Sequence, residues 1–193
     1  VSVANGAGLP TTALITDMDE PLAHCAGNAI EVLNAVDYLT GKTRDQRLHE
    51  VVMALGCELL AGAGIATGDE AKQKLDAALA KGHAVERFDK MVAILGGPTD
   101  FCANARKHLK TASVVQPVYA EEFGSIHSID TRFLGMAVVE IGGGRRVAAD
   151  AIDHAVGLSG LAGKGTKVDT RTPVAFVHAR STAEYERAAS IVQ

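Results

Sequence analysis

The feature that most constrains this chain is the run over residues 11–36, where a β-rich apolar stretch, a polar loop and an amphipathic helix follow one another. Residues 11–16, TTALIT, have the composition of a buried inner strand. Residues 17–25 are polar and include Pro21, and residues 29–39 place apolar side chains at helical spacing. In open α/β sheets, ligand sites gather just beyond the carboxyl ends of strands. The run therefore predicts an α/β fold with a candidate site in the loop over 17–25.

Composition narrows the possible classes of function. The 193 residues are 47% hydrophobic, enough for one good core or two small ones. The formal net charge is −4 and no long run of lysine or arginine occurs, which disfavours nucleic acid as a partner. No apolar run approaches the ~18 residues of a membrane-spanning helix, so no membrane partner is expected. Three cysteines without a CxxC pair indicate a reduced, cytoplasmic protein.

The periodicity of the chain changes near residue 112. Before that point it predicts the strand over 11–16 and then helices, with stops at glycines 62–64 and at Gly96-Gly97-Pro98. After it, strand-like runs at 112–119 and 124–129 lead to a helix capped by Asp130 and ended by Gly142. A strand at 173–179 and a last helix capped by Ser181 complete an α+β pattern. We place the domain boundary there, giving domains at 1–112 and 113–193.

The runs over residues 12–32, 97–101 and 130–157 form three separate motifs, and together they resemble the pyrimidine-nucleoside phosphorylase family, which includes the thymidine phosphorylases. The resemblance covers nearly the whole chain in order and without large gaps. The residues that carry it are Thr12-Ala13-Leu14, Thr16-Asp17-Met18, Pro21-Leu22, Gly27-Asn28-Ala29 and Glu31-Val32, then Gly97-Pro98-Thr99-Asp100-Phe101, and finally DTRFLGMAVVEIGGGRR over 130–146 with DAIDHAVG over 150–157.

The resemblance implies both a fold and an activity. Residues 1–112 would be the C-terminal portion of a mixed parallel-sheet α/β domain, mostly helical here, and residues 113–193 a smaller α+β domain of the hammerhead or barrel-sandwich-like kind. The implied reaction is phosphorolysis of thymidine to free base and deoxyribose 1-phosphate, with phosphate and the pyrimidine nucleoside as ligands. The alternatives are a broader pyrimidine-nucleoside or nucleotide phosphorylase, and a non-catalytic packing or binding module.

Several motifs of the family do not occur in this sequence. Family members carry, in a long N-terminal half, a Lys-x-Ser and Ser/Thr phosphate cradle, an Arg with Ser-x-x-x-Lys for the base, and a Lys-Val-Gly-Ser-Gly loop. The sequence also starts at Val1 without Met, in a stretch that looks like a helix end capped by Gly6 or Gly8. We therefore expect the C-terminal part of an enzyme that is inactive alone and has no catalytic or cofactor-binding residue here. The resemblance implies a homodimer formed through the N-terminal half.

The loop and helix over 22–34 contain the matching positions for one family ligand. In the phosphorylases a monovalent cation, usually potassium, is held by two main-chain carbonyls of this loop and a carboxylate about one turn into the helix. The matching positions are Leu22, Cys25 and Asn34, where Asn34 stands in place of the usual glutamate. An amide oxygen binds a hard cation without contributing charge. The alternative is an ordinary loop and a polar helix residue, which we favour because the other half of that site would lie in the N-terminal half.

Three further patterns have a structural reading beside the functional one. The run Gly142-Gly143-Gly144-Arg145-Arg146 could cradle an anion, but it lacks the fixed spacing of a phosphate loop, so a helix stop and a solvated basic turn are favoured. The seven histidines show no zinc spacing. His24 is interpreted as a loop residue near a cleft rim and His178 as a strand-face residue with a hydrogen-bond partner. Lys164 and Lys167 lack the context of a carrier-domain lysine.

Overall fold

The computed structural model describes all 193 residues, and they divide into two compact units. The first, here called the helical unit, comprises Val1–Asp17 and Asp37–Cys102. The second, called the C-terminal unit, comprises Met18–Val36 and Ala103–Gln193. Together they contain eight helices and two antiparallel sheets, so the chain is a mixed α and β fold as predicted. The domain boundary expected near residue 112 stays a prediction.

The helical unit is built from the helices that the apolar periodicity predicts. They are α1 (Ser2–Gly6), α3 (Gln46–Gly62), α4 (Gly68–Ala80) and α5 (His83–Ile94), with the end of α2 (Asn28–Thr40) and the start of α6 (Phe101–His108). Asp45 begins α3 because its side chain accepts a hydrogen bond from the Leu48 amide at 2.9 Å. The core of this unit is small, and several large apolar side chains on its surface, including Leu59 and Leu95, are more than 70% exposed.

The strand predicted over residues 11–16 is wrong for this chain. These residues form no helix or strand, and Ile15 is fully exposed. All strand pairings in the structure are antiparallel and none includes this stretch. An apolar composition favours a strand, but a strand forms only where another backbone offers hydrogen bonds. A place for these residues in a parallel sheet of a longer protein stays a prediction.

The C-terminal unit contains a four-stranded antiparallel sheet in the order β1-β4-β6-β2. These strands are β1 (Cys25–Ala26), β2 (Val114–Tyr119), β4 (Gly157–Ser159) and β6 (Pro173–Ala179). A second ribbon pairs β3 (Gly124–Ser125) with β5 (Lys167–Val168). The predicted strand over 124–129 is thus only two residues long. The helices are α7 (Thr131–Glu140) and α8 (Thr182–Val192), whose predicted caps Asp130 and Ser181 each accept an amide hydrogen bond.

One face of this sheet forms the core against α7 and α8. Alternation in β6 buries Ala175, Val177 and Ala179 completely, while Phe176 and His178 point to the opposite face. The same buried cluster includes Ile141, Val156 and Leu158. Tyr185 of α8 fixes the helix to the sheet, because its hydroxyl donates to the Pro117 carbonyl at 2.8 Å. None of the eight helices has the length and apolar composition needed to span a bilayer.

Candidate functional site

The polar loop that the sequence singled out lies within the C-terminal unit and ends in its edge strand. Leu22 is in the loop and is 42% exposed, and Cys25 opens β1 directly opposite Ser159. Asn34 lies further along α2 and is half-buried. The structure thus places two of the three predicted ligand positions on one short stretch beside the sheet. That their oxygens meet at one point with that of Asn34 stays a prediction.

The entry into α2 is fixed by contacts that connect it to distant parts of the sequence. Gly27 has a positive φ of 132°, and its amide donates to Glu31 Oε1 at 2.8 Å. The Asn28 side-chain amide donates to the Gly143 carbonyl at 2.9 Å, and the Ala29 amide donates to the His154 carbonyl at 3.0 Å. Sequence reasoning missed the role of Glu31, although a glutamate four residues after a helix-opening glycine is a usable signal of capping. The start of α2 is therefore held by its own Glu31 and by the main-chain carbonyls of Gly143 and His154.

The oxygens available in this chain do not by themselves complete a potassium site. The two main-chain carbonyls and the Asn34 amide would supply three neutral oxygens, fewer than the roughly six or more that a hard cation takes. The carboxylate on the first turn of α2, Glu31, already accepts the Gly27 amide. The positive end of α2 adds an unfavourable field. No step of the chemistry is therefore assigned to a metal on these residues.

His24 is a loop residue, as predicted, and it makes a two-way contact with Leu161. Its Nδ1 lies 2.8 Å from the Leu161 carbonyl oxygen, which can only accept, so Nδ1 carries the proton. Its own carbonyl accepts from the Leu161 amide at 3.1 Å. Three positions further along the same connection, the Lys164 amide donates to Glu20 Oε2 at 2.9 Å, and Lys164 Nζ lies 3.8 Å from Asp19. The loop is thus tied to the turn before β5.

The glycine–arginine turn ends α7 and does not offer its first amides to a ligand. The Gly142 and Gly143 amides donate to carbonyls of the last helical turn, at 3.0 and 2.8 Å. A Cβ on Gly143 would lie 2.6 Å from Val138 Cγ1, so the glycine is required by packing. Arg145 Nε donates to the Asp150 carbonyl, and Arg146 forms an ion pair with Glu140 at 3.5 Å. This geometry supports the reading as a helix stop and basic turn.

The outward face of the sheet contains a pair that the sequence pattern did not reveal. Ser159 Oγ and His178 Nε2 lie 2.8 Å apart across β4 and β6, which confirms that His178 is a strand-face residue with a partner. Burial lowers the pKa of His178, so the ring is neutral at physiological pH. No carboxylate is among the hydrogen-bond partners of His178, so nothing orients the ring as a general base. The pair is structural.

Comparison with known families identifies the C-terminal part of the chain. Residues 125–193 match the family model of the pyrimidine nucleoside phosphorylase C-terminal domain. The matched range contains α7, β4, β5, β6 and α8. The match confirms the resemblance over residues 125–193 and is consistent with a C-terminal part of that family, whereas the motifs over 12–32 and 97–101 lie outside the matched range. The matched range is thus similar to a domain of the nucleoside phosphorylases, which are transferases of nucleoside metabolism.

Proposed function

We propose that this chain is the C-terminal part of a thymidine phosphorylase, a pentosyltransferase that converts thymidine and phosphate into thymine and deoxyribose 1-phosphate. One observation carries the proposal beyond the matched range. The first and third phosphorylase-like motifs, which are far apart in the sequence, contact each other through Asn28 with Gly143 and Ala29 with His154. A chance resemblance in the first motif would give no reason for its residues to meet those of the second.

The proposed reaction is attack of a bound phosphate oxygen on the anomeric carbon, with the pyrimidine as leaving group and an oxocarbenium-like transition state. Such catalysis depends on positioning phosphate and sugar and on stabilising charge on the departing base. The family's phosphate and base motifs do not occur in these 193 residues. The chain alone is therefore expected to support the catalytic half of a longer enzyme without turning over substrate.

Three further features belong to this proposal. The longer enzyme would bind potassium through the Leu22 and Cys25 carbonyls and Asn34, completed by oxygens from its N-terminal half. It would be a cytoplasmic homodimer joined through that half. Because Asn34 is neutral, Asn34→Glu in the longer enzyme should strengthen the dependence of activity on potassium, measured as activity against KCl at constant ionic strength.

Two measurements test the function. The reading frame upstream of the Val1 codon should encode Lys-x-Ser and Ser-x-x-x-Lys, and the protein expressed from it should release thymine from thymidine and phosphate. The 193-residue chain, assayed beside it, should release none. Turnover by this chain at ordinary enzyme rates, on the order of 1–10³ per second, would contradict the proposal that catalysis requires the N-terminal half.

The same assay separates the competing functions. Uridine as the second substrate distinguishes a thymidine phosphorylase, which should prefer thymidine, from a broader pyrimidine-nucleoside phosphorylase, which should cleave both. A pyrimidine nucleotide as third substrate tests the nucleotide enzyme. An upstream frame without either motif would favour the non-catalytic packing module.

A further inference from the structure

Residues 18–29, here called the docking segment, contact residues 103–193 of the C-terminal unit along their whole length. Thr131 Oγ1 donates to the Met18 carbonyl at 3.2 Å, and Glu20 accepts from the Lys164 amide. His24 makes the two-way contact with Leu161, 137 residues away in the sequence. Cys25 and Ala26 then pair with Ser159 and Leu158. The segment lacks secondary structure of its own before β1, so these contacts set its path.

The backbones of the docking segment and of β4 approach most closely at Gly27 and Gly157, where there is no room for side chains. Gly27 and Gly157 lie against each other, and a Cβ on Gly27 would lie 2.7 Å from the Val156 carbonyl oxygen and 2.9 Å from the Gly157 Cα. A Cβ on Gly157 would lie 3.0 Å from the Gly27 Cα and would overlap the Ala26 carbonyl. Real Cβ atoms do not approach backbone this closely. The surface beside β4 therefore accepts only a backbone with glycine at this position.

The surface selects its occupant by several kinds of contact. The edge of β4 supplies main-chain hydrogen bonds of the strand-addition type. Leu161 offers both its amide and its carbonyl to one residue, His24. The Lys164 amide and ammonium face two carboxylates, Glu20 and Asp19. An acidic residue, a histidine and a glycine at the spacing of Glu20, His24 and Gly27 match this surface along one extended chain.

We propose that the docking segment is an added strand that residues 103–193 bind by themselves, independently of the covalent connection through residues 37–102. The folding unit is then discontinuous, made of residues 18–36 and 103–193, and is larger than the matched range 125–193. The partner that fits this surface is the chain's own earlier segment. The competing view is that the segment stays in place only because the rest of the chain tethers it.

Two cuts separate the two views, because residues 1–17 belong to the helical unit and would hold a longer piece in place. Lys42 lies in the connection between α2 and α3 with its side chain 59% exposed. Short recognition sites for a specific protease, inserted after Asp17 and after Lys42 in the full chain, divide it into residues 1–17, 18–42 and 43–193. The cut protein is then passed through a size-exclusion column under native conditions. We expect residues 18–42 and 43–193 to elute together and to separate in denaturant.

Variants decide which contacts hold the pieces together. The double variant Glu20→Ala/His24→Ala removes the side-chain contacts with the Lys164 amide and the Leu161 carbonyl and should release residues 18–42 after the cuts. Glu20→Gln/His24→Asn keeps an acceptor and a donor at similar positions and should retain them. Arg47→Ala, which removes the ion pair with Asp17 at 3.9 Å in the helical unit, should also leave the pieces together.

Hydrogen exchange of the uncut variants shows whether the docking segment has loosened while the core of the C-terminal unit remains folded. In Glu20→Ala/His24→Ala, amides of residues 18–27 should exchange about 10-fold faster or more, whereas β6 should remain protected because the core is intact. Retention of residues 18–42 by the cut double variant, or unchanged exchange over 18–27, would overturn the proposal. Loss of the segment from the cut wild-type protein would overturn it as well.

Discussion

Gly27 and Gly157 meet backbone to backbone, at the point where β1 leaves the sheet and α2 begins. Gly27 has φ of 132° and Gly157 has φ of 153°, so both adopt conformations that other residues rarely do. The contact joins two parts of the sequence that each resemble the phosphorylases. The first prediction follows from it.

Gly157→Ala should destabilise the protein by about 2–4 kcal/mol, because the added methyl group overlaps the Ala26 carbonyl and the backbone is strained. The matched control is Gly135→Ala in α7, where a Cβ meets nothing within 4 Å. That change should stabilise by ~0.5–1 kcal/mol, since alanine favours a helix interior. Urea unfolding measures both. Equal effects of the two substitutions would show that the close contact does not constrain the fold.

Cys102 should react with thiol reagents far more slowly than an ordinary cysteine. Burial, followed by the hydrogen bond and charge of Asp89, raises the pKa of Cys102 to about 12. Almost no thiolate is then present at pH 8, and labelling followed by peptide mass spectrometry should find Cys102 unmodified when Cys57 is modified.

Asp89→Asn tests the cause of this shift. The asparagine oxygen still accepts the Cys102 amide, which Asp89 holds at 2.7 Å, but the negative charge is gone. The pKa of Cys102 should fall and labelling at pH 9 should accelerate. Glu86→Gln on the same helix serves as the control and should leave the rate unchanged. Acceleration by both variants would point to loosening of the helix as its cause.

Glu184 should contribute to stability in a pH-dependent way. A hydrogen bond from Arg180 lowers the pKa of Glu184, and Arg180 Nε lies 3.0 Å from both carboxylate oxygens. The folded-state pKa is therefore below the unfolded value of ~4.3. The contribution is fully present above the unfolded pKa and is lost as pH falls through the folded one. The stability difference between wild type and Glu184→Gln should shrink from pH 6 to pH 3 in urea titrations. A constant difference would contradict this cause.

The helical unit should be digested before the C-terminal unit. The contiguous buried cluster of the chain lies entirely in the C-terminal unit, whereas the helical unit exposes apolar side chains such as Leu59 and Leu95. Local opening is easiest where few apolar groups are buried. Limited proteolysis followed by mass spectrometry should give early cuts between residues 37 and 102. Equal resistance of the two units would argue for a single cooperative structure.

Helices, caps and the last strand were predictable because their signals are local. Asp130 and Ser181 cap the helices that follow them, and the alternation in residues 173–179 predicts which side chains of β6 are buried. The stretch over 11–16 was mispredicted because its composition is that of a strand, while no strand of this chain pairs with it. Apolar composition gives a segment a preference for the extended conformation, but a strand forms only where another strand pairs with it.

The contacts of the candidate site were harder to predict, for a related reason. Ser159 with His178, and Glu20 with Lys164, depend on which strands and turns become neighbours. No spacing of residues along the sequence predicts either pair. The order β1-β4-β6-β2, in which the shortest strand lies at the edge, is a property of the whole unit. The Gly27 motif was visible, but its contact with Gly157 was not.

The pairing of β1 with β4 also constrains how this protein folds during synthesis. His24 must find Leu161, which leaves the ribosome 137 residues later. Throughout that interval the docking segment has no sheet to join, and closing so long a loop costs entropy before the pairing repays it. We therefore expect the edge strand to be added late, after β6 and α8 are made. Until then the exposed backbone of residues 18–29 is the part of the nascent chain that a chaperone could recognise.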